Sequence, residues 1–228
     1  MTDPAKPTVF ISVPILGNPE LAMMNSGYAQ MGGCGTRCYL HFQQQESLIQ
    51  RARNNAMATF LDRGEESHLL TWDSDIECVG TTSGANAIRR LLDAGKDIVG
   101  GLYALKAGVD GKLASQPLEH PVVLDGGLIK MRWLSTGFMM ISRQAAEKMV
   151  AQYPDQMYVA DGDMSGKEVC GLYNPYIVRD KDGKGKLLSE DWAICQRWLD
   201  MGGEIWADTS IVLNHYGKRA YKLWTAKP

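Results

Sequence analysis

The sequence predicts an α/β fold in which helices cover both faces of a mostly parallel central sheet. Over the first hundred residues, short apolar runs rich in β-branched residues alternate with segments of helical periodicity, a rhythm typical of parallel sheets. The 228 residues are 45% hydrophobic and 22% charged, which is ordinary for a globular chain with a sizeable core. Alternation and composition together predict the fold class.

The first half of the chain contains the alternating elements. Each predicted strand is an apolar run bounded by Gly or Pro, and each predicted helix repeats apolar residues at intervals of three and four. The helix that follows Ser47, a good N-cap residue, is expected to continue to Gly64. The other predictions in this half are strands at residues 8–13, 36–42, 69–72 and 97–102 and helices at residues 19–30 and 82–94.

In the second half, predicted strands follow one another with turns between them. Residues 153–187 are rich in Gly, Asp, Lys and Tyr and show no clear period, which predicts a long loop of the kind that forms a lid or binding segment. No internal repeat or linker divides the chain, so a single domain is expected. The predicted strands are residues 121–124, 128–131, 138–142, 204–206 and 211–213, and the predicted helices are residues 144–152 and 188–201.

Charge and composition exclude several classes of protein. The net charge of −2 gives no general attraction to nucleic acid or to anionic membranes. No stretch is long and apolar enough to span a bilayer, and the first apolar run is too short for a signal-peptide core, so we expect a cytoplasmic protein with no membrane partner. The five cysteines are odd in number and scattered, which indicates free thiols rather than a disulfide framework.

The strongest candidate site is a pair of aspartates, Asp73 and Asp75, which directly follows a short apolar run. Alternate residues of an extended chain point to the same face, so the two carboxylates can converge on one point. Ligands of open α/β sheets bind beyond the carboxyl ends of strands. Two hard oxygen donors there suit Mg²⁺ or Mn²⁺, and such a cation suits a diphosphate.

A second acidic pair, Glu190 and Asp191, begins a predicted helix. One interpretation is that Ser189 caps this helix and that the acids complement the helix dipole. The other is that one carboxylate points into a cleft, where it deprotonates an acceptor hydroxyl or binds a sugar hydroxyl. Spacing alone does not choose between these interpretations.

Four basic or titratable side chains complete the set of candidates. His215 follows an apolar run and is either structural or the third member of a metal site begun by carboxylates. Arg51 and Arg53 lie on the predicted second helix, either as ordinary surface cations or as partners of a phosphate or base. Lys106 follows a predicted strand and is a candidate partner of the same anion.

Six motifs follow one another in a specific order along nearly the whole chain. They are Ala-Arg-Asn at 52–54, Leu-Leu-Thr-Trp-Asp-Ser-Asp at 69–75, Val-Gly-Gly-Leu-Tyr-Ala-Leu-Lys at 99–106, Ser-Thr-Gly-Phe-Met-Met-Ile-Ser at 135–142, Ser-Glu-Asp-Trp at 189–192 and Asn-His-Tyr-Gly at 214–217. This order resembles the GT-A glycosyltransferases, and in detail a compact, phage-type branch related to the Anp1-like mannosyltransferases. The resemblance covers roughly residues 8–217.

The resemblance implies a GT-A fold in one continuous sheet. A Rossmann-like half at about 8–106 would bind the nucleotide sugar, a half at about 107–217 would bind the acceptor and contribute a metal-ligating histidine, and 218–228 would form a tail. The implied activity is the transfer of a hexose or pentose from a nucleoside diphosphate sugar, a UDP-sugar first of all, with Mn²⁺ or Mg²⁺ as cofactor. If the gene belongs to a phage, the protein acts in the host cytoplasm.

The resemblance also implies roles for individual residues. The first strand and its loop, at residues 11–17, would hold the base and ribose, and the wall of the sugar pocket would come from the start of the 138–142 strand. The acidic pair would lie near the donor sugar, with Asp191 as the base of an inverting reaction or as an orienting group in a retaining one. The implied set is Pro14, Arg53, Lys106 and Gly137 for the donor, Asp73, Asp75 and His215 for the metal, and Glu190 and Asp191 for catalysis.

The acceptor is open at this point. One expectation is a hydroxymethylated pyrimidine in phage DNA, supported by a tail that interleaves aromatics with the cations Lys218, Arg219 and Lys222. A saccharide or protein hydroxyl is the alternative. A related nucleotidyltransferase is a further alternative, although the loop after the first strand contains neither Lys nor Arg to hold a triphosphate. After the glycosyltransferase and the nucleotidyltransferase, the third functional class that the sequence leaves open is an inactive module that binds a nucleotide or sugar.

Overall fold

A computed structural model describes residues 6–44, 46–106, 111–124, 126–217 and 220–223. Its α-helices are α1 (Leu21–Gly33), α2 (Ile49–Arg63), α3 (Ala87–Asp93), α4 (Arg143–Gln152) and α5 (Glu190–Asp200). Its strands are β1 (Thr8–Ile15), β2 (Arg37–Gln44), β3 (His68–Trp72), β4 (Ile76–Thr81), β5 (Ile98–Gly101), β6 (Gln116–Pro117), β7 (Val123–Leu124), β8 (Leu128–Trp133), β9 (Phe138–Ser142), β10 (Met157–Val159), β11 (Glu168–Cys170), β12 (Tyr176–Arg179), β13 (Gly185–Leu188), β14 (Ile205–Asp208), β15 (Ile211–Tyr216) and β16 (Ala220–Lys222).

In the described part of the chain, nine strands form a central sheet in the order β2-β1-β3-β9-β5-β14-β8-β6, with β7 also paired to β8. The pairs β1–β2, β1–β3 and β5–β14 are parallel. β9 runs against its neighbours β3 and β5, and β8 runs against β14, β6 and β7. All the other strands of this sheet therefore point the same way, which confirms the predicted α/β fold with a mostly parallel sheet.

Helices cover both faces of this sheet. Neighbouring residues of one strand point to opposite faces, so Leu69 and its β9 partner Ile141 join one hydrophobic core, whereas Leu70 and its partner Met140 join the other. α2, α4 and α5 contribute to the first core, and α1 and α3 contribute to the second. None of the helices in the described segments is long and apolar enough to cross a bilayer.

A smaller sheet of β16, β15 and β4 stands beside the central one. β4 follows Asp75 directly and pairs with β15 in antiparallel fashion, so that Ile76 lies opposite His215.

The predicted helix at 82–94 is wrong at its start, because α3 begins only at Ala87. A turn at Gly84, whose φ is 77°, precedes it, and the Asn86 side chain accepts the N–H of Arg89 at 3.0 Å as the N-cap.

The predicted loop at 153–187 contains two antiparallel hairpins instead, β10–β11 and β12–β13. Their strands have only three or four residues each, too few for a visible sequence period. The turn between the hairpins is fixed to α2 by Asn54, whose Nδ2 donates to Asn174 Oδ1 at 3.0 Å and whose Oδ1 accepts the Tyr173 N–H at 2.9 Å. This segment is thus held beside the first turns of α2.

Candidate active site

A cleft of about 360 Å³ opens at the edge of the central sheet where β1 and β3 end. Because these strands are parallel neighbours, the residues that follow them meet at one edge of the sheet. The first turns of α2 and α5 face the same space. Residues predicted for the donor, metal and catalytic roles meet here, since the lining includes Pro14, Arg53, Asp73, Asp75 and Glu190.

Arg53 is the buried centre of the charge network in this cleft. Its side chain is 5% exposed, and Nη1 and Nη2 donate to the two carboxylate oxygens of Asp73 at 3.0 and 3.3 Å. Its Nε lies 3.9 Å from Glu190 Oε1 and has no hydrogen-bond partner among the described residues. Burial lowers the pKa of Arg53, but the two carboxylates outweigh burial and raise it above the ordinary value. A fixed guanidinium with a spare donor suits an oxygen-rich ligand.

Asp75 lies at the more exposed side of the cleft and faces two basic side chains. Lys106 Nζ donates to Asp75 Oδ2, and His215 Nε2 lies 3.6 Å from Oδ1. Burial raises the pKa of Asp75, but the hydrogen bonds from His215 and Lys106 bring it below its ordinary value. His215 reaches this position because β15 pairs with β4, which begins at the residue after Asp75.

A backbone carbonyl orients His215. Its Nδ1 lies 2.8 Å from the carbonyl oxygen of Ala104, and since a carbonyl can only accept, Nδ1 carries the proton. Nε2 is therefore the ring nitrogen that faces Asp75. A histidine fixed through its other ring nitrogen is the common arrangement of a metal ligand. The donor set of Asp75 and His215 fits a divalent cation that displaces the Lys106 ammonium.

Asp73 differs from the other two predicted metal ligands, because Arg53 occupies both of its oxygens. Among the residues that the structure describes, no three His, Cys, Asp or Glu side chains lie close enough together to hold a metal ion. A cation here would be held by Asp75 and His215 and would take its remaining ligands from water or a bound phosphate. The role of Asp73 as a metal ligand stays a prediction.

Gly137 lies beside Asp73 and Tyr103, and its lack of a side chain permits this close approach. A Cβ at this position would lie 2.5 Å from Tyr103 Oη and 3.0 Å from Asp73 Oδ2. The Gly137 N–H donates to Tyr103 Oη at 3.0 Å, and the Tyr103 ring stands edge-on to His215 with centroids 5.2 Å apart. Burial and the nearby Asp73 raise the pKa of Tyr103. Tyr103 thus contacts both Gly137 and His215.

The two acids at the start of α5 are placed differently. Glu190 lines the cleft, and burial together with the charge of Asp191 raises its pKa, which Arg53 offsets in part. Asp191 Oδ1 accepts the hydroxyl of Ser189 and, at 2.9 Å, the N–H of Trp192. Ser189 occupies the N-cap position without a side-chain cap bond to the helix backbone. Of the two acids, Glu190 is therefore the one whose side chain is available to a ligand in the cleft.

Other predicted basic residues lie outside the cleft or outside the described residues. Arg51 forms an ion pair with Glu46 at the rim of the cleft, and Glu46 also accepts the Leu48 N–H at 2.9 Å. α2 accordingly starts with Leu48 in the N-cap position and not with Ser47. In the tail, Lys222 is exposed on β16, whereas the predictions for Lys218 and Arg219 lie outside the described residues.

Sequence reasoning missed three residues around the site. They are Tyr103, which the sequence marks only as part of a motif, and Glu46 and Tyr173, which no motif marks. Tyr173 is fully buried, its hydroxyl has no hydrogen-bond partner among the described residues, and it interacts electrostatically with Arg53 and Glu190. Buried tyrosines are common core residues, so no local signal distinguishes these two from packing residues.

Comparison with known proteins supports the fold and not a closer relationship. No protein-family model matches the chain, and no curated protein sequence matches it significantly. Among solved structures, A197 from STIV is similar at 16% sequence identity with a TM-score of 0.57, over 95% of this chain and 90% of that one. UDP-glucose pyrophosphorylase complexed with UDP-glucose is similar at 7% identity with a TM-score of 0.52, over 91% of this chain and 92% of that one.

These similarities confirm the GT-A-like, Rossmann-like fold that the motif order implies. Both extend over nearly the whole chain, so the second half belongs to the same architecture as the first. At such low identity, shared architecture does not transfer an activity. The relation to a phage-type branch or to the Anp1-like mannosyltransferases stays a prediction.

Proposed function

We propose that the protein is a glycosyltransferase that uses a nucleoside diphosphate sugar, with a UDP-sugar as the first candidate. The observation that carries the proposal is the convergence of Arg53, Asp73, Asp75, His215 and Glu190 on one edge of the sheet. A guanidinium and an acidic metal-type pair suit a diphosphate, and a carboxylate of raised pKa suits proton transfer. The fold shared with an enzyme complexed with UDP-glucose supports a UDP-sugar.

The proposed cofactor is Mn²⁺ or Mg²⁺, held by Asp75 and His215. When bound, such a cation would neutralise the negative charge that develops on the leaving diphosphate. Lys106, which pairs with Asp75 in the described structure, would then be released to contact the same diphosphate. Asp73 keeps Arg53 in place, so that the guanidinium is oriented before the donor enters.

The proposed reaction forms a bond between an acceptor oxygen and the anomeric carbon while the bond from that carbon to the diphosphate oxygen breaks. The diphosphate leaves with the electron pair, and the acceptor proton passes to a base. The geometry favours Glu190 for this position, because it faces the cleft whereas Asp191 is engaged at the start of α5. If the configuration is retained, Glu190 would orient the donor sugar instead.

The acceptor hydroxyl is proposed to come from a hydroxymethylated pyrimidine in DNA, with a saccharide or protein hydroxyl as the alternative. These acceptors differ in charge, since only the nucleic acid brings a regular series of phosphates. The surface next to the cleft is therefore the place where the structure can discriminate between them.

A ligand screen tests the donor assignment. A nucleoside diphosphate that binds only the folded chain raises its melting temperature, so we expect UDP with Mn²⁺ to raise it more than either component alone. The same screen with UMP, GDP and free hexose serves as the control. If no nucleoside diphosphate shifts the melting temperature with or without Mn²⁺ or Mg²⁺, the proposed function is wrong.

A further inference from the structure

A groove of about 810 Å³ lies between β8, the β12–β13 hairpin and α5. It has more than twice the volume of the cleft, which is about 360 Å³, so it admits several linked units of a chain and not only a single sugar. Its lining contains four exposed cationic side chains, namely Arg132, Arg179, Lys184 and Lys186. We refer to it below as the cationic groove.

The cationic groove keeps an excess of positive charge. In the described part of the chain, none of its four cations forms an ion pair with a carboxylate within 4.0 Å. Its two acids, Asp180 and Asp200, offset half of this charge and leave an excess of two positive charges. Their carboxylates are held by neutral donors, Asp180 by the N–H groups of Asp182 and Lys184 at 3.0 and 2.8 Å and Asp200 by Gln196 Nε2 at 2.7 Å. Because the whole chain has a net charge of −2, this cationic surface is a local feature.

Trp133 lines the groove and stacks on Trp192. The rings of Trp133 and Trp192 lie 4.6 Å apart. Lys186 Nζ sits 4.4 and 4.7 Å from their centroids, and the Arg132 guanidinium sits 4.5 Å from that of Trp133. The cations thus cover the aromatic faces. A neutral saccharide would need a bare ring to stack on, whereas this groove offers fixed positive charge, which selects an anionic chain.

The helix α5 links the cationic groove to the cleft, because its residues Gln196 and Asp200 line the groove and its first residue, Glu190, lines the cleft. Trp192 follows Glu190 by two residues in α5, and Trp133 precedes Gly137 by four residues. β13 leads into α5 through Ser189. A chain bound along the groove towards the start of α5 would approach Glu190, the carboxylate that lines the cleft.

We propose that the cationic groove binds the phosphate backbone of a single nucleic-acid strand and presents its acceptor hydroxyl to the cleft. Guanidinium groups recognise phosphate oxygens in pairs, and a positive groove that follows the backbone is typical of single-strand binding. A single strand is specified because a base within a duplex has to leave the stack before it can react. The role as acceptor site rests on the proposed function, whereas strand binding can be measured independently of it.

The test compares two triple variants of equal charge change. The groove variant carries Arg179→Gln, Lys184→Gln and Lys186→Gln. The control variant carries Arg89→Gln, Lys148→Gln and Lys167→Gln, which lie outside the groove. Binding of a fluorescent oligothymidylate of about 12 nucleotides is followed by anisotropy over a series of salt concentrations, and the fold of each variant is checked by its melting temperature.

We expect wild-type protein and the control variant to bind the strand with the same salt dependence. Loss of three phosphate contacts should reduce the slope of log Kd against log salt by about 2 in the groove variant, and weaken binding at low salt roughly tenfold or more. If the groove variant unfolds because Lys186 packs on the tryptophans, the double variant Arg179→Gln/Lys184→Gln should still reduce the slope by about 1.

Two results would overturn the proposal: no strand binding by the wild type, or equal slopes for groove and control variants. Groove-dependent binding of alginate, a carboxylated polysaccharide, without binding of the strand would also overturn it and assign the groove to an anionic saccharide.

A second measurement on the same wild-type protein, the release of UDP from UDP-sugars, separates the groove proposal from the proposed function. Strand binding without release rejects only the glycosyltransferase proposal, and release without strand binding rejects only the groove.

Discussion

At the scale of single residues, Asp75 is the side chain on which the proposed cation depends most directly. Asp75→Asn keeps the shape of the side chain but removes its charge, so we expect the Mn²⁺-dependent part of UDP binding to disappear. The cost in stability should be small, about 0–1 kcal/mol, because the ion pair with Lys106 is one-third exposed on both sides. Calorimetric titration with UDP and Mn²⁺ measures the effect.

The matched control for this variant is Asp62→Asn, which removes a more exposed carboxylate that pairs with Lys167 far from the cleft. Its titration curve should equal that of the wild type. An Asp75→Asn protein that remains folded and keeps its Mn²⁺-dependent affinity for UDP would remove Asp75 from the site.

Glu190 and Asp191 are separated by their effects on turnover. If Glu190 is the base, Glu190→Gln should reduce turnover by roughly 10²–10⁴ while donor binding survives. Asp191→Asn should cost about 0.3–1 kcal/mol of stability as a helix-start charge and leave most of the turnover. Steady-state kinetics and thermal unfolding of both variants measure the two effects. The reverse pattern would identify Asp191 as the base, as the family resemblance implies.

The raised pKa of Glu190 also predicts that the stability of the chain depends on pH. Burial and the charge of Asp191 raise its pKa above the ordinary value of 4.5, so the folded chain favours the protonated carboxyl. A raised pKa means that the protonated carboxyl stabilises the folded chain relative to the unfolded one. This contribution is fully present below the unfolded-state pKa and is lost as pH rises through the folded-state pKa. We therefore expect Glu190→Gln to melt at a higher temperature than the wild type at neutral pH, with a gap that closes on acidification. A gap that does not change with pH would contradict this.

Several site residues could be predicted from the sequence, and others could not, for a physical reason. Asp73, Asp75 and His215 each follow an apolar run, and parallel strands bring such positions to one edge. The partners of these residues depend on packing instead. Nothing in the sequence shows that Arg53 holds Asp73, or that the Tyr103 hydroxyl meets the Gly137 amide.

At the scale of secondary-structure elements, β5 and β9 approach each other too closely for a side chain at one position. A Cβ on Gly100 would lie 2.3 Å from the Phe138 carbonyl oxygen and 2.9 Å from Leu134 Cδ2. We expect Gly100→Ala to destabilise the chain by about 1–3 kcal/mol, since backbone cannot move aside as a flexible side chain can. Chemical denaturation measures the change in the free energy of unfolding.

Gly27 provides the control for this substitution. It is also buried, but it lies within α1 and a Cβ there meets no atom within 4 Å. Gly27→Ala should therefore stabilise the chain by about 0.5–1 kcal/mol through the lower backbone entropy of the unfolded state. Equal destabilisation by both substitutions would show that the packing at Gly100 is not the cause.

The elements that the sequence predicts best are those with their own apolar run. β1, β3 and β9 are recognisable because each is buried on both faces and reads as a continuous apolar segment. β4 and the two hairpins are short and half-exposed, and they exist because a partner strand pairs with them. For β4 that partner is β15, so distant in the chain that no local pattern reveals it.

At the scale of the whole molecule, the architecture could be predicted and the reaction could not. Alternating strands and helices are enough to imply the sheet, and A197 from STIV and UDP-glucose pyrophosphorylase share its architecture over more than nine-tenths of this chain. A shared fold does not determine the chemistry. The segment after β1, residues 16–19, contains neither Lys nor Arg, which disfavours the binding of a triphosphate and favours the glycosyltransferase over the nucleotidyltransferase.

The bond that is broken distinguishes these two reactions most directly. The wild-type protein is incubated with UDP-hexoses and Mn²⁺, with and without pyrophosphate, and the nucleotide products are separated by anion-exchange chromatography. The account predicts UDP, formed by slow transfer of the sugar to water, in an amount that requires Mn²⁺ and does not depend on pyrophosphate. Formation of UTP and hexose 1-phosphate only when pyrophosphate is present would contradict it and identify a nucleotidyltransferase.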